Sequence, residues 1–175
     1  SFYSSGGFSR GALLNNNSTT ASSTIALTNN NFFGSAAGTD NAFRLDTLAS
    51  ANAIISGNQI VLNGTNGTGL RMSFGAASTA TISNNDITDN TDGATGIYFT
   101  SVTGLGRFAI QSNTVNLANT GGLLDRGIIF GTVTDSVLIS DTLQTTNIVT
   151  NANTPFEAPP TVGGQIFING TPQLP

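Results

Sequence analysis

The sequence predicts an all-β fold, a right-handed parallel β-helix solenoid of about five coils, with 27–31 residues and three strands in each coil. Three observations support this prediction. Similar segments recur every 27 to 29 residues, apolar and polar residues alternate inside them, and Asn or Gly follows each alternation. A repeat of this length is typical of a stacked solenoid, in which each layer buries its apolar face against its neighbours.

The first alternating stretch of each coil ends on an aliphatic anchor. Period-two alternation places this anchor and the apolar residue two positions before it on one face of a strand. The anchors are Leu27, Ile55, Ile82, Ile110 and Ile139. Stacked coils are therefore expected to pile these side chains into one column, and the usual hand of crossover connections favours a right-handed path.

A sharp bend must follow each anchor, because the next apolar residue lies five positions on and an odd spacing cannot stay on one face of a straight strand. The bends fall at Asn-rich pairs, and Asn tolerates the left-handed conformation and bonds locally to backbone. Four residues share one position in successive coils and predict a ladder of side-chain amides: Asn30, Asn58, Asn85 and Asn113. We expect the ladder to break in the fifth coil, where Thr142 replaces Asn.

A second alternating stretch follows a Gly-rich or polar turn in each coil. Its predicted inward pairs are Phe43 and Leu45, Leu70 and Met72, Ile97 and Phe99, Ile128 and Phe130, and Ile166 and Ile168. The longer gaps before the last two pairs predict loop insertions, one near residues 119–124 and one Pro-rich at 145–163. The whole chain, 1–175, is predicted to be one domain whose aromatic N-terminal segment, 1–10, is flexible.

The composition excludes several classes of function. Charged residues make up 8% of the chain, the formal net charge is −4, and Lys, His and Cys are absent. There is no basic footprint for nucleic acid and no apolar run of about 20 residues that would insert into a membrane. Triads with His, thiol catalysis and Schiff-base chemistry are excluded, and no cofactor is expected. We interpret the chain as a mature or excised piece of a secreted, extracellular protein, or as a fragment with an arbitrary boundary.

The repeat pattern, with I-S-N-N-D-I at Ile82 to Ile87 and G-I-Y-F at Gly96 to Phe99, resembles the right-handed parallel β-helix repeats of the pectate-lyase-like superfamily. It is most similar to the Asn/Thr/Gly-rich versions in bacterial secreted and cell-surface proteins. The resemblance covers about residues 11 to 170. Members include polysaccharide lyases and hydrolases, phage tailspikes, autotransporter passengers and adhesins, and the fold does not choose among them.

An outward face with Arg44, Asp46 and Arg71 is the candidate carbohydrate site. Polysaccharide lyases of this fold act on such a face with Arg or Lys and calcium-binding acids, which the resemblance implies as an alternative activity here. The clustered acids of the hydrolases are missing. The other interpretation is a surface ion pair that contributes about 0–1 kcal/mol.

Three further groups of residues are candidates for contacts. Tyr98, Ile129 and Phe167 are predicted to form an exposed apolar strip beside the Arg residues, unless loops cover it. Aromatic and Pro residues outside the repeats are possible interface residues: Phe2, Tyr3, Phe8, Pro155 and Phe156. Asp86, Asp89 and Asp92 are a weak calcium candidate, because they lack the pattern of an EF-hand loop and solvated turn acids explain them as well.

The ends of the stack favour a structural function. A terminal coil exposes unpaired backbone and apolar cross-section, and neither terminus shows an amphipathic capping helix. We therefore expect a non-catalytic module of an extracellular surface or fibre assembly that associates with itself, or with the rest of a longer surface protein, through coil ends or insertions. The alternative is a β-helix that binds or cleaves carbohydrate.

Overall fold

The structure is a computed structural model, and it describes residues 2–3, 8–34, 39–140, 143–158 and 165–173. Almost all regular structure in this part of the chain is strand. In chain order the elements are β1 Phe2–Tyr3, β2 Phe8–Asn16, β3 Ser23–Thr28, β4 Asn31–Phe33, β5 Thr39–Thr47, β6 Ala51–Ser56, β7 Gln59–Leu62, β8 Thr68–Phe74, β9 Ser78–Ser83, β10 Asp86–Asp89, β11 Thr95–Val102, β12 Gly106–Gln111, β13 Thr114–Asn116, β14 Arg126–Val133, β15 Val137–Ile139, the helix α1 Leu143–Thr146, β16 Ile148–Thr150, β17 Thr154–Glu157, β18 Ile166–Ile168 and β19 Thr171–Gln173.

These strands stack as a parallel β-solenoid of about five turns, which confirms the predicted fold class. Every third strand joins the same sheet. Sheet A contains β1, β4, β7, β10, β13 and β16; sheet B contains β2, β5, β8, β11, β14 and β17; and sheet C contains β3, β6, β9, β12, β15, β18 and β19. All pairings are parallel except that of β18 with β19, which is antiparallel.

The anchor column of sheet C forms as predicted over four coils. Leu27, Ile55, Ile82 and Ile110 are successive Cα partners, and all four are buried. The predicted register of the fifth anchor was wrong, because Ile139 pairs with Phe108 and not with Ile110. A shift of two keeps the same face inward, so period-two alternation alone cannot detect it.

The last coil also departs from the sequence prediction. Ile166 and Ile168 belong to sheet C, where they pair with Val137 and Ile139, and not to sheet B. Phe156 takes the predicted position, as the partner of Ile128, and packs against the core. The proposed insertion at 145–163 therefore contains two strands of the solenoid, β16 and β17, while residues 159–163 lie outside the described part.

The N-terminal segment is part of the first coil. Phe2 and Tyr3 pair with Phe32 and Phe33 in sheet A, and Phe8 begins β2 in sheet B. The backbone described for this segment is thus strand and not a separate flexible arm. The side chains of these three aromatic residues lie outside the described part of the structure.

Glycine is required where the chain enters β8, β11 and β14 of sheet B. A Cβ on Gly96 would stand 2.9 Å from the carbonyl oxygen of Gly127 in the next coil and would overlap Val115. Gly69 and Gly127 meet the same obstacle, from the carbonyl oxygens of Gly96 and Pro155. This close approach of successive coils explains the glycine that precedes the second alternating stretch in the sequence.

Candidate functional site

The predicted amide ladder lies at the corner between sheets C and A, here called the ladder corner. Its two bend residues have separate roles. The first adopts the left-handed conformation, with φ of 56° at Asn29, 65° at Gly57, 55° at Asn84 and 55° at Ser112. The second points its side chain inward to the ladder. Residues that tolerate positive φ therefore precede the ladder Asn in each coil.

The ladder amides of Asn58, Asn85 and Asn113 have all their hydrogen-bonding groups occupied. The Nδ2 of Asn85 donates to Asn113 Oδ1 at 2.8 Å and to the carbonyl oxygen of the anchor Ile55 at 3.0 Å. Its Oδ1 accepts from Asn58, from Nδ2 at 2.8 Å and from the backbone N–H at 3.2 Å. An Asn side chain offers two donors and two acceptor lone pairs, so the ladder satisfies every one of them in the buried corner.

The ladder continues one coil further than predicted. Asn113 donates to Asn147 Oδ1 at 2.8 Å, so the expected break in the fifth coil was wrong. The helix α1 supplies the additional residues that bring Asn147 into position, and Asn147 in turn donates to the carbonyl oxygen of Leu143 in that helix. The signal that sequence reasoning missed is the motif Asn-x-Val, which Asn147 shares with Asn113.

The outward face of sheet B holds the predicted carbohydrate residues. Arg44 and Arg71 are neighbours in register, followed by Tyr98, as expected. The Nε of Arg44 donates to Asp46 Oδ2, whereas Arg71 has a buried Nε with no hydrogen-bond partner. Within the described residues the only other ion pair joins Arg126 to Glu157 at 3.7 Å. Arg71 therefore lacks a carboxylate partner.

The predicted apolar strip beside these Arg residues does not form. Glu157, and not Phe167, follows Ile129 in the column, because Phe167 lies in sheet C beside Leu138. Ile129 is buried and Tyr98 is half-buried, so little apolar surface remains there. Phe156 is also removed from the interface candidates by its packing in the core, while Pro155 stays exposed.

Three acids meet at the corner between sheets A and B, here called the acidic corner: Asp89, Asp92 and Asp125. Asp89 is the register partner of the core residue Leu62 and is 4% exposed, and Asp125 is fully buried at 0%. Each has one oxygen, Oδ2, without a hydrogen-bond partner. Asp86, the third residue of the predicted calcium group, is exposed on β10 and does not belong to this corner.

The acidic corner also attaches the 119–124 insertion. Asp92 accepts hydrogen bonds from the backbone N–H of Gly121 at 3.2 Å and of Leu123 at 2.8 Å. Asp125 accepts from Gly93 at 3.1 Å and from Ala94 at 2.9 Å, so each carboxylate fixes backbone of the neighbouring coil. Among the residues that the structure describes, no three acidic side chains converge closely enough to hold a metal ion.

Burial raises the pKa of Asp125 above its ordinary value of 3.8, and the nearby carboxylate of Asp92 raises it further, against the effect of the N–H bonds from Ala94 and Gly93. Burial likewise raises the pKa of Asp89, with a smaller contribution from Asp125, against the hydroxyl bond from Thr91. The signal for this corner was present in the sequence, because Asp89 follows Ile87 by two and so occupies an inward position.

The two ends of the stack differ. At the N-terminal end β1, β2 and β3 are all edge strands. At the C-terminal end the chain turns back at Asn169 and Gly170, with φ of 49° and 76°, and β19 covers the edge of β18. Positive φ at both central residues is the type I′ turn that joins tight hairpins.

The hairpin presents a proline at its free edge. Val137 donates to Gln165 O at 2.9 Å and Asn169 donates to Ile139 O at 2.9 Å, so Phe167 directs its backbone groups towards β15. Phe167 and its partner Pro172 are therefore a non-hydrogen-bonded pair of the hairpin, and the nitrogen of Pro172 faces outward. An outward proline nitrogen gives a further strand no donor, which blocks extension of the sheet.

Comparison of the chain with protein families, with curated proteins and with solved structures finds no match. The residues that the structure describes include no helix with the length and apolar character required to cross a bilayer. The class of the protein therefore rests on its own geometry, which is a parallel β-solenoid with an internal asparagine ladder.

Proposed function

We propose that this solenoid is a non-catalytic structural module of an extracellular surface or fibre assembly, and that it associates with a second copy through its N-terminal end. The observation that carries the proposal is the difference between the two ends. Among the described residues, β1, β2 and β3 are edge strands at the N-terminal end, while at the other end a hairpin with an outward proline closes sheet C and leaves β16 and β17 as edges. Unpaired edges are templates for association, and closed edges oppose it.

Association of two N-terminal ends has a consequence for the size of the assembly. A head-to-tail contact would have to place the first strand of sheet C on β18, whose edge is already occupied by β19. A two-fold contact between N-terminal ends avoids this and closes after two copies. The occupied edge of β18 supports a paired module over an open filament. The rest of a longer surface protein is the competing occupant that we propose for the N-terminal edge.

The composition supports a structural function outside the cell. Catalysis with His, Cys or Lys is excluded by the sequence, and the polar surface depends on Asn, Thr and Ser with few charges. The buried ladder uses neutral amides, whose bonds do not depend on pH or salt as ion pairs do. These are properties expected of a durable scaffold, and they agree with the resemblance to secreted repeats.

The edge of β2 offers a direct test. Leu48 N–H donates to Asn16 O at 3.0 Å, so alternate residues from Asn16 face β5 and Leu13 directs its N–H to the free edge. Leu13→Pro should remove this donor without breaking a bond to β5, because the N–H of Leu13 faces away from β5. The side chain of Leu13 is 45% exposed, so the substitution does not remove a core residue. Leu13→Thr is the matched control, because it changes the side chain and keeps the N–H.

Sedimentation velocity over a wide range of concentration should show dimers for the wild type and for Leu13→Thr, and monomers for Leu13→Pro. Circular dichroism and urea unfolding of each variant establish that the fold is retained. A wild-type protein that stays monomeric at high concentration would refute self-association. Dimers that persist in Leu13→Pro would place the contact elsewhere.

A second function, binding of acidic carbohydrate, is favoured by the unpaired Arg71. A guanidinium binds a carboxylate through parallel hydrogen bonds, and the neighbouring Tyr98 offers a ring face to a sugar. Calorimetric titration with an oligomer of galacturonic acid should show binding that Arg71→Ala abolishes. Arg126→Ala is the control, since Arg126 lies in the same sheet and pairs with Glu157. Cleavage of the oligomer with added calcium, lost in Arg71→Ala, would refute the non-catalytic assignment.

A further inference from the structure

The acidic corner holds charge that the rest of the fold does not neutralise. Asp89 and Asp125 are buried, and each has an oxygen that no donor reaches. An ionised carboxylate without donors or a counter-charge is costly in a dry environment. The position of Asp89 increases this cost, since it occupies the column of the core residue Leu62. The sequence keeps a carboxyl group where neighbouring coils use leucine.

Among the side chains that the structure describes, no positive one pairs with the acidic corner. The charged groups on the flanking elements are Asp89 and Asp92 of the preceding coil, and Arg126 and Glu157, which pair with each other. Lys and His are absent from the sequence. Both oxygens of Asp92 are bound to the 119–124 insertion, and one oxygen of Asp125 is bound to the turn before β11. A proton on the remaining oxygen of Asp125 would remove the charge and provide a donor to Asp92.

We propose that Asp125 and Asp92 share one proton at acidic pH, and that this acid pair is a pH-sensitive clamp that holds the 119–124 insertion against the solenoid. Asp125 donates through its O–H and Asp92 accepts as the carboxylate. Two carboxyl groups at close distance cannot both ionise cheaply, so a single proton is retained between them. When this proton leaves, repulsion between the two carboxylates weakens the attachment of the insertion.

The sign of the pH dependence follows from the direction of the shift. Burial raises the pKa of Asp125 in the folded protein above its ordinary value of 3.8. The native state then binds the proton more tightly than the unfolded state does. Stability from this pair is fully present below the ordinary value and is lost as pH rises through the raised value. At its steepest, the unfolding equilibrium constant should change by about tenfold per pH unit for one proton.

Asp125→Asn imitates the protonated form, because its Oδ1 still accepts from Gly93 and Ala94 and its amide N–H can donate to Asp92. Thermal unfolding of the wild type should show a melting temperature that falls as pH rises above about 4. Asp125→Asn should reduce this slope to the part that Asp89 contributes, and should be the more stable protein at neutral pH. Asp86→Asn is the matched control, since it removes an exposed charge from the coil that carries Asp92 and should keep the wild-type slope.

Carbon-detected NMR of the wild type gives a second measurement that does not depend on a variant. The carboxyl carbon of Asp125 should titrate above 3.8, and the exchange-protected amides of Gly121 and Leu123 should lose protection over the same range after correction for intrinsic exchange. A midpoint at or below 3.8 would overturn the proposal, as would an equal pH slope in Asp125→Asn. A calcium-induced rise in melting temperature that Asp125→Asn abolishes would also overturn it, because a cation would then occupy the corner.

Discussion

Replacing Asn85 with alanine removes the central amide of the ladder. Its side chain makes four hydrogen bonds, and it is only 1% exposed. The loss leaves the backbone N–H of Asn58 and one N–H of its side-chain amide buried without an acceptor. At roughly 1 kcal/mol for each bond, and more for each buried group left unpaired, Asn85→Ala should destabilise the protein by about 4 kcal/mol.

Asn30 provides the matched comparison within the same ladder. It donates to Thr28 O and to Asn58 Oδ1, and no side-chain oxygen bond depends on it in the described structure. The residue is half-buried, and Asn58 Oδ1 keeps the bond from the Asn30 backbone N–H after the side chain is removed. Asn30→Ala should therefore cost about 1 kcal/mol.

Urea unfolding followed by circular dichroism measures both variants. The slope of the free energy of unfolding against urea should stay unchanged, so that the shift of the midpoint reports stability alone. Equal costs at the two positions would refute the reasoning, because the number of buried bonds would then not determine the contribution. A cost below about 1 kcal/mol at Asn85 would show that water replaces the amide in the corner.

Three other predictions test separate parts of the fold. Gly96→Ala should cost about 1–3 kcal/mol in urea unfolding, since its Cβ would overlap Val115, whereas Gly122→Ala, with no atom within 4 Å of its Cβ, should cost almost nothing. Phe99→Ala should cost about 3–5 kcal/mol, because the ring is fully buried and stacks on Phe130 with centroids 4.5 Å apart; a much smaller cost would show that the core collapses around the cavity. Pro172→Val should restore an outward N–H at the C-terminal edge and produce larger assemblies in sedimentation, and unchanged sedimentation would show that proline does not guard this edge.

The repeat of anchors and bends was sufficient to predict the solenoid and most of the ladder. Leu27, Ile55, Ile82 and Ile110 stack as expected because period-two alternation and a constant coil length both restrict the same register. The repeat of anchors and bends does not predict the register of strands correctly where the coil length changes. After the 119–124 insertion, Ile139 lies two residues away from its predicted register. A shift of two residues keeps the same side chains facing inward, so the alternation does not reveal it.

The last coil was harder to predict because its strands are short and weakly apolar. The run Thr154 to Glu157 contains one large apolar residue, Phe156, next to Pro155, and was interpreted as a loop. Proline is compatible with a strand at the edge of a sheet, which is where β17 lies. The helix α1, four residues long, is too short to show any helical period in the sequence.

The candidate sites depended on contacts that a linear pattern does not contain. Asp92 and Asp125 lie in successive coils at unequal spacing, since the insertion separates them, so no motif joins them in the sequence. The sequence pattern puts Phe167 beside Arg44 and Arg71 only if Ile166 and Ile168 belong to sheet B. In the structure both residues belong to sheet C. In both cases tertiary packing determines which residues lie close together. The period-two alternation determines only whether a side chain faces inward or outward.

The different ends of the stack imply that the molecule should unravel from one side. In a solenoid each layer is stabilised by its immediate neighbours, so melting starts in the layer with the fewest of them and proceeds one layer at a time. In the residues described for the first layer no hairpin covers an edge, whereas β19 covers β18 at the other end. Native-state hydrogen exchange should accordingly form a gradient, fastest in β2 and β3 and slowest near β12 and β14, with the C-terminal layers surviving as the last folded remnant.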